Sequence, residues 1–313
     1  MKLNCKYTLL TLSTALWVVL STSCFTGVES TPRITANDVR RDAPAITAEE
    51  TYLNGITPEP FCKWKPGKKF HVADNRISLM FGAQGNSLPP LSNRQLTYMG
   101  AQSATAVDGN KVTDISFLTP EGTEVKYRVP QSISSLQADS TAIEIPFLVD
   151  IDMVDDVKRI MLGNDYYITT SSWYDLNSDS RRGRKFVKVH IDSVSPGNDT
   201  NPILLTLHEE GTTDNFRISM SIGNGLRSTR KFHDLFSLSD PRDKHTDITD
   251  ETWRLIQNCR VTAGMTRNEC RLSLGKPDEI SRRTFYNAII ERWAYNNGIY
   301  LIFEDGLLTT YRN

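Results

Sequence analysis

The sequence predicts an α+β chain: two small β-barrel or rolled-sheet modules in tandem, then a domain of two helices and a β-meander. Three observations predict it. From Tyr52 to Ile222 short runs alternate apolar and polar residues between Gly-bearing turns, the mark of half-buried strands. That pattern runs through the same order twice. After Asp240 it gives way to apolar residues at helical spacing, and then to three strands with turns at Asn-Asn-Gly and Asp-Gly.

The chain opens with Lys2, Lys6 and an apolar run from Tyr7 to Leu20, closed by Ser21-Thr22-Ser23-Cys24. A basic start, an apolar middle and a small-residue exit make residues 1–23 a secretory signal peptide. The run falls short of the roughly 20 apolar residues that span a bilayer. The Cys directly after the exit resembles the lipobox of bacterial lipoproteins, whose thiol is diacylated and whose chain is cut so that Cys becomes the first residue. The resemblance implies lipidation at Cys24 and membrane attachment through acyl chains, two of which hold stably where one is marginal. An ordinary signal would be cut at the same bond. Residues 24–51 carry Pro32, Pro44 and no apolar periodicity, so they read as a flexible tether that lifts the folded part off the membrane.

The first β-module is expected over 52–143. Its strands are Lys68–Val72, Gln95–Met99, Ile115–Leu118 and, after the turn Pro120-Glu121-Gly122, Val125–Val129. The second, over 144–238, begins with a helix between Pro146 and Leu162. Asp150 or Asp152 caps it, and Gly163 stops it. Val154, Val157, Ile160 and Met161 share its apolar face. The strands of this module are Gly163–Ile168, Phe186–Ile191, Ile203–Leu207 and, after Glu209-Glu210-Gly211, Phe216–Met220. Both are SH3-like in size.

Composition narrows the function. At 313 residues with a formal net charge of −1 and a pI near 6.5, the chain lacks the Lys and Arg excess of a nucleic-acid surface. Asp175-x-Asn177-x-Asp179 opens like a calcium loop, but Ser180 stands at the sharp-turn Gly position and Phe186 at the bidentate Glu position. The five histidines are scattered, and His208-Glu209-Glu210 lacks the second His of a metalloprotease helix. Arg181 to Lys185 reads as a solvated hairpin tip. Cys62, before Pro66-Gly67, has no helix start to activate it as a nucleophile. No metal, cofactor or catalytic set is expected.

In the C-terminal segment, 247–313, Thr249 or Asp250 caps a helix carrying Trp253, Ile256 and Cys259. Thr266 caps a second, Arg267 to Leu274, which Gly275-Lys276-Pro277 ends. Three strands follow: Glu291–Tyr295, Ile299–Phe303 and Leu307–Tyr311. Gly264-Met265-Thr266, a short helix, Leu274-Gly275 with Pro277, then Trp293 with Tyr295, and Phe303, resemble the SmpA/OmlA lipoprotein domain, an ααβββ fold. The resemblance covers about 65 residues, one small domain's worth. Its best-known member is the small accessory lipoprotein of the outer-membrane β-barrel assembly machine. It implies a non-enzymatic envelope lipoprotein, lipid-anchored at the outer membrane, that binds another envelope protein. The alternative is a surface lipoprotein whose β-modules bind glycan or peptidoglycan.

Cys62, Cys259 and Cys270 remain once Cys5 and Cys24 are set aside. Cys259 follows Ile256 by three on one helix, and Cys270 takes a core position on the next, so a disulfide between them is expected. Such a clip would add about 3 kcal/mol in the chain-entropy model. Cys62 is the competing partner, and buried free thiols are the third possibility.

Overall fold

The computed structural model describes residues 46–82, 87–140, 142–223, 230–285 and 288–312. The expected signal peptide, the expected lipidation site Cys24 and most of the expected tether lie outside them. The fold is mixed α+β and rich in sheet, with three open antiparallel sheets in place of the expected barrels.

The described chain begins with α1 (Ala48–Thr51), a single turn closed by a capping box between Thr47 and Glu50. The last residues of the expected tether are therefore structured. They are built into the second module, ahead of the first: Glu49 accepts from the Ser237 hydroxyl and Leu238 N–H. Tyr52, Leu53 and Ile56 join the second module's core.

The first sheet runs in the order β4-β3-β2-β1-β5. It comprises β1 (Lys69–Val72), β2 (Gln95–Thr105), β3 (Lys111–Leu118), β4 (Glu124–Val129) and β5 (Leu148–Asp150). A short helix, α2 (Ile77–Met80), follows β1, and α3 (Ile133–Ala138) lies between β4 and β5. The strand β5 stands where the start of a helix was expected: the helix expected from Pro146 begins only at Ile151, and Leu148–Asp150 pair with β1 instead. Alternation along each strand turns Phe70, Leu96, Tyr98, Ile115, Phe117 and Val125 into one core.

Asp150 ends β5 and caps α4 (Ile151–Met161), accepting from the Asp152 N–H at 3.0 Å. Met153, Val154, Val157 and Met161 face the second sheet. Ile160, expected on that face, is 37% exposed, because Met153 lies on the buried side in its stead.

The second sheet repeats the plan in the order β12-β6-β9-β10-β11-β7-β8. Its meander is β6 (Asp165–Ile168), β9 (Val187–Pro196), β10 (Ile203–Glu209) and β11 (Asn215–Met220). After the short α5 (Phe232–Leu235), β12 (Phe236–Ser237) pairs with β6 just as β5 pairs with β1. A hairpin, β7 (Ser172–Tyr174) and β8 (Ser180–Arg182), is inserted between β6 and β9 and lies against the β11 edge. Its Asp175-x-Asn177-x-Asp179 loop is an Asx turn in which the Asp175 carboxylate accepts from the Asn177 and Asp179 N–H groups. In each of these two sheets one edge is a short strand, three residues in β5 and two in β12.

The C-terminal part holds α6 (Asp250–Gln257), α7 (Arg267–Leu274) and the sheet β13 (Glu279–Phe285), β14 (Ala288–Ala294), β15 (Tyr300–Glu304), β16 (Leu307–Arg312). Thr249 caps α6 and Thr266 caps α7 through a full capping box with Glu269. The expected three-stranded meander gains a fourth strand, β13, which lacks a clean apolar alternation in sequence. Trp253, Ile256, Cys270, Trp293, Leu301, Phe303 and Leu308 form a third core between helices and sheet.

Candidate functional site

The family-motif positions are architectural. Gly264 N–H donates to the Leu308 carbonyl, and Leu308 N–H donates to that of Met265, stitching the loop before α7 onto β16. Thr266 bridges Leu307. Gly275, at φ +87°, ends α7 and accepts from the Tyr295 hydroxyl at 3.2 Å. Leu274 packs against the core edge, Pro277 is buried, and Trp293 and Phe303 lie at the centre with ring centroids 4.7 Å apart.

Beneath them sits a charge absent from the motif as read from sequence. The Glu291 carboxylate, 1% exposed, accepts from the Trp293 indole N–H at 2.6 Å and from Arg282 at 2.6 Å, with Arg267 at 3.2 Å. Burial alone would push this carboxyl up. The indole and guanidinium hydrogen bonds, with the Arg267 charge, outweigh that and hold it below its usual range. Removing either partner would leave a buried carboxylate underpaid in hydrogen bonds.

The other face of this sheet is not covered by α6 or α7. Cross-strand register places Ile290, Ala294, Tyr300 and Ile302 there, all half-buried, with the exposed Arg283, Arg292 and Arg312 around them. The Arg292 guanidinium lies 5.9 Å over the Tyr300 ring. Glu279 and Glu304 lie on the same face at its ends.

Arg181 to Lys185 proves to be a seam between the second module and α6. Arg184 bonds Glu209 and the Gln257 side chain, Lys185 N–H donates to the Gln257 carbonyl, and Arg182 reaches the Cys259 carbonyl. Phe186 packs edge-on to Trp253. The expected solvated tip is thus a docking segment. Lys185 itself is 8% exposed, and desolvation pushes its ammonium pKa down.

The cysteines also differ from expectation. Cys62 is exposed, whereas Cys259 and Cys270 are buried, and all three thiols are free. The expected clip fails because α6 ends at Gln257, so Cys259 lies past the cap at φ +53° and off the helix face assumed for it. Burial pushes the Cys270 thiol up to about 12, that of an inert core side chain. Cys24 lies outside the described residues.

A second polar arrangement was missed in the sequence. On the outward face of the second sheet, Asp165, His190 and His208 stand in cross-strand register on β6, β9 and β10. His190 Nδ1 is 2.7 Å from Asp165, and His208 Nδ1 is 2.8 Å from Asp192. Lys188 pairs with Asp165 at 3.0 Å and Glu210 at 3.4 Å. The His190 and Lys188 hydrogen bonds, in that order, hold the Asp165 carboxyl below its usual range. Asp165, Lys188, His190, His208 and Glu210 line an open cavity of about 290 Å³. The histidines read as scattered because they lie 18 positions apart; only the β9–β10 register brings them together.

In comparisons with known proteins, no family model, no curated protein and no solved structure matches the chain.

Proposed function

We propose that this chain is a non-enzymatic lipoprotein of the outer membrane, anchored through diacylated Cys24, that binds another envelope protein through its C-terminal domain. In this reading 247–313 is an SmpA/OmlA-like domain with one added strand. The two preceding sheets are opened SH3-type modules, a reading supported by the recurring strand order and by the short helix before the last strand. The observation that carries the binding role is the uncovered face of the C-terminal sheet. Ile290, Tyr300 and Ile302 give it an apolar centre, and Arg283, Arg292 and Arg312 give it a basic surround. A partner segment with an apolar strip flanked by carboxylates fits this face, with the guanidiniums supplying orientation and the apolar centre supplying affinity.

The glycan alternative finds less support in Trp64 and Trp173. A sugar stacks on an open aromatic face. Trp64 is instead packed among Phe61, Phe70 and Tyr98. Trp173 stacks on Phe216 with ring centroids 3.6 Å apart, and the Gly183 backbone presses on the ring.

The test is photo-crosslinking from position 302 in lipidated protein in membranes. The expected product is one discrete protein adduct, lost on Arg292→Glu. An adduct that disappears on muramidase treatment, or no protein adduct, would favour the glycan reading. Cys24→Ala is expected to abolish fatty-acid labelling and release soluble protein; persistent labelling would refute the anchor.

A further inference from the structure

The two histidines on the second sheet are held in a manner that hydrogen bonding alone does not need. A carboxylate can only accept, so each Nδ1 carries the proton directed at Asp165 or Asp192, and in the neutral imidazole Nε2 is the nitrogen with a free lone pair. Imidazoles that ligate metals almost always have their second nitrogen bound in this way, which fixes the tautomer and raises the basicity of the ligating nitrogen. The ring centroids are 5.4 Å apart and the planes are inclined by 44°. Two imidazoles sharing one metal at about 2.0–2.1 Å stand with their centres about 5 Å apart. The ring separation here is compatible with one shared ion.

The electrostatics point the same way. Asp165, Asp192 and Glu210 set three carboxylates against the one ammonium of Lys188, which itself pairs with Asp165 and Glu210. With both imidazoles neutral, the patch is anionic and attracts a cation. It is also reachable, since the His190 and His208 side chains are 38% and 29% exposed and both rings line the same cavity. Among the described residues no set of three His, Cys, Asp or Glu side chains stands ready to hold an ion. The pair thus supplies two nitrogen ligands and leaves the other positions to water.

We propose that His190 and His208 form a solvent-open, two-imidazole site for a borderline transition-metal ion such as Zn²⁺ or Cu²⁺, with Asp165 and Asp192 as positioning residues. Imidazole selects these ions over Mg²⁺ and Ca²⁺, which require oxygen ligands. This site is independent of the membrane anchor and of the C-terminal sheet face.

The experiment is calorimetric titration of the untagged exported chain with ZnCl₂, with CuCl₂ followed by electron paramagnetic resonance, and with MgCl₂ as comparison. One ion per chain is expected for Zn²⁺ and Cu²⁺, with hyperfine structure from two nitrogens for Cu²⁺ and no binding of Mg²⁺. Asp165→Asn should weaken Zn²⁺ binding about 10–100-fold with unchanged stoichiometry. His190→Gln and His208→Gln, which keep shape and polarity at exposed positions, should each abolish the two-nitrogen signal. Stoichiometric binding that survives the double His→Gln variant would overturn the proposal. So would a single-nitrogen signal in the unaltered chain, or the absence of binding at millimolar metal.

Discussion

The two β-modules share one plan and use their outward faces differently. Aligned on β1 and β6, Phe70, Leu96, Tyr98 and Phe117 coincide with Tyr166, Val189, Ile191 and Leu207, all of them buried. The adjacent outward row reads Lys69, Thr97, Leu118 in the first module and Asp165, His190, His208 in the second. Packing tolerates only exchange among large apolar residues on the inner row. The outer row is free of that constraint, and it is where the two modules differ in chemistry. The insertions diverge as well. Between its first two strands the first module carries α2, whereas the second carries the β7–β8 hairpin and the basic segment that docks on α6.

The largest expected effect tests a buried charge that has no counterpart at the aligned position of the other module. Lys68, 8% exposed, reaches Asp150 at 2.9 Å, Asp152 at 2.6 Å and Glu59 at 3.3 Å. At the aligned position the second module has Asn164, whose amide donates to the Ile160 carbonyl. Lys68→Ala strands Asp150 without its partner and should cost about 3 kcal/mol in urea denaturation. Asn164→Ala should cost about 1 kcal/mol or less. Desolvation lowers the Lys68 pKa, but hydrogen bonds to Asp152 and Asp150 outweigh it, and the net shift is upward. A raised pKa stabilises fully below the unfolded value of about 10.4 and fades as pH climbs through the folded one. On the alkaline side, the gap between the unaltered chain and Lys68→Ala should therefore close only in strong alkali. Equal losses at the two positions would show that the charge is not what sets the copies apart.

A middle-sized effect is expected at the inserted hairpin. A Cβ on Gly183 would fall 1.9 Å from the Trp173 ring, inside any tolerable contact. Gly183→Ala must displace the indole from Phe216 or bend the hairpin away, at about 2 kcal/mol. Because the same segment carries Arg184 and Lys185, the seam to α6 should loosen too. Limited proteolysis would then cut near 181–185 in the variant and leave the first module resistant. Gly55→Ala, where a Cβ meets open space, is the matched control. If Gly183→Ala melts like that control, the sandwich contributes nothing to stability.

These contrasts also mark what was legible in sequence. The meander strands and both C-terminal helices announce themselves through period-2 or helical spacing and through caps such as Thr249 and Thr266. The strands β5 and β12 do not, since two or three residues carry no period. Nor does β13, an edge strand whose middle reads Ser281-Arg282-Arg283. The burial of Glu291 was not legible because its neutralising partners come from α7 and β13, elements apart in the chain. The His190–His208 pair depended on hairpin register, which a bulge at Thr206/Leu207 shifts by one residue. Counting back from the turn without that bulge would miss the pairing.

The smallest effect sharpens the likeness between the modules. The β3–β4 and β10–β11 hairpins turn at Gly122, φ +85°, and Gly211, φ +81°. Neither site has a neighbour within 4 Å of an added Cβ, so sterics outside the backbone contribute nothing. Only the left-handed conformation opposes a side chain, at about 1 kcal/mol for alanine. Gly122→Ala and Gly211→Ala should therefore lose the same amount, and the double variant their sum, since the turns share no contacts. Asparagine tolerates this region better than alanine, so Gly122→Asn and Gly211→Asn should each recover part of the loss. Thermal melts of the four single variants decide it. Two matched pairs would mean that the turns do the same job in both copies. A large cost at Gly211 alone would instead tie that turn to the His190–His208 cavity it borders, and the two modules would then differ in backbone as well as in their outward rows.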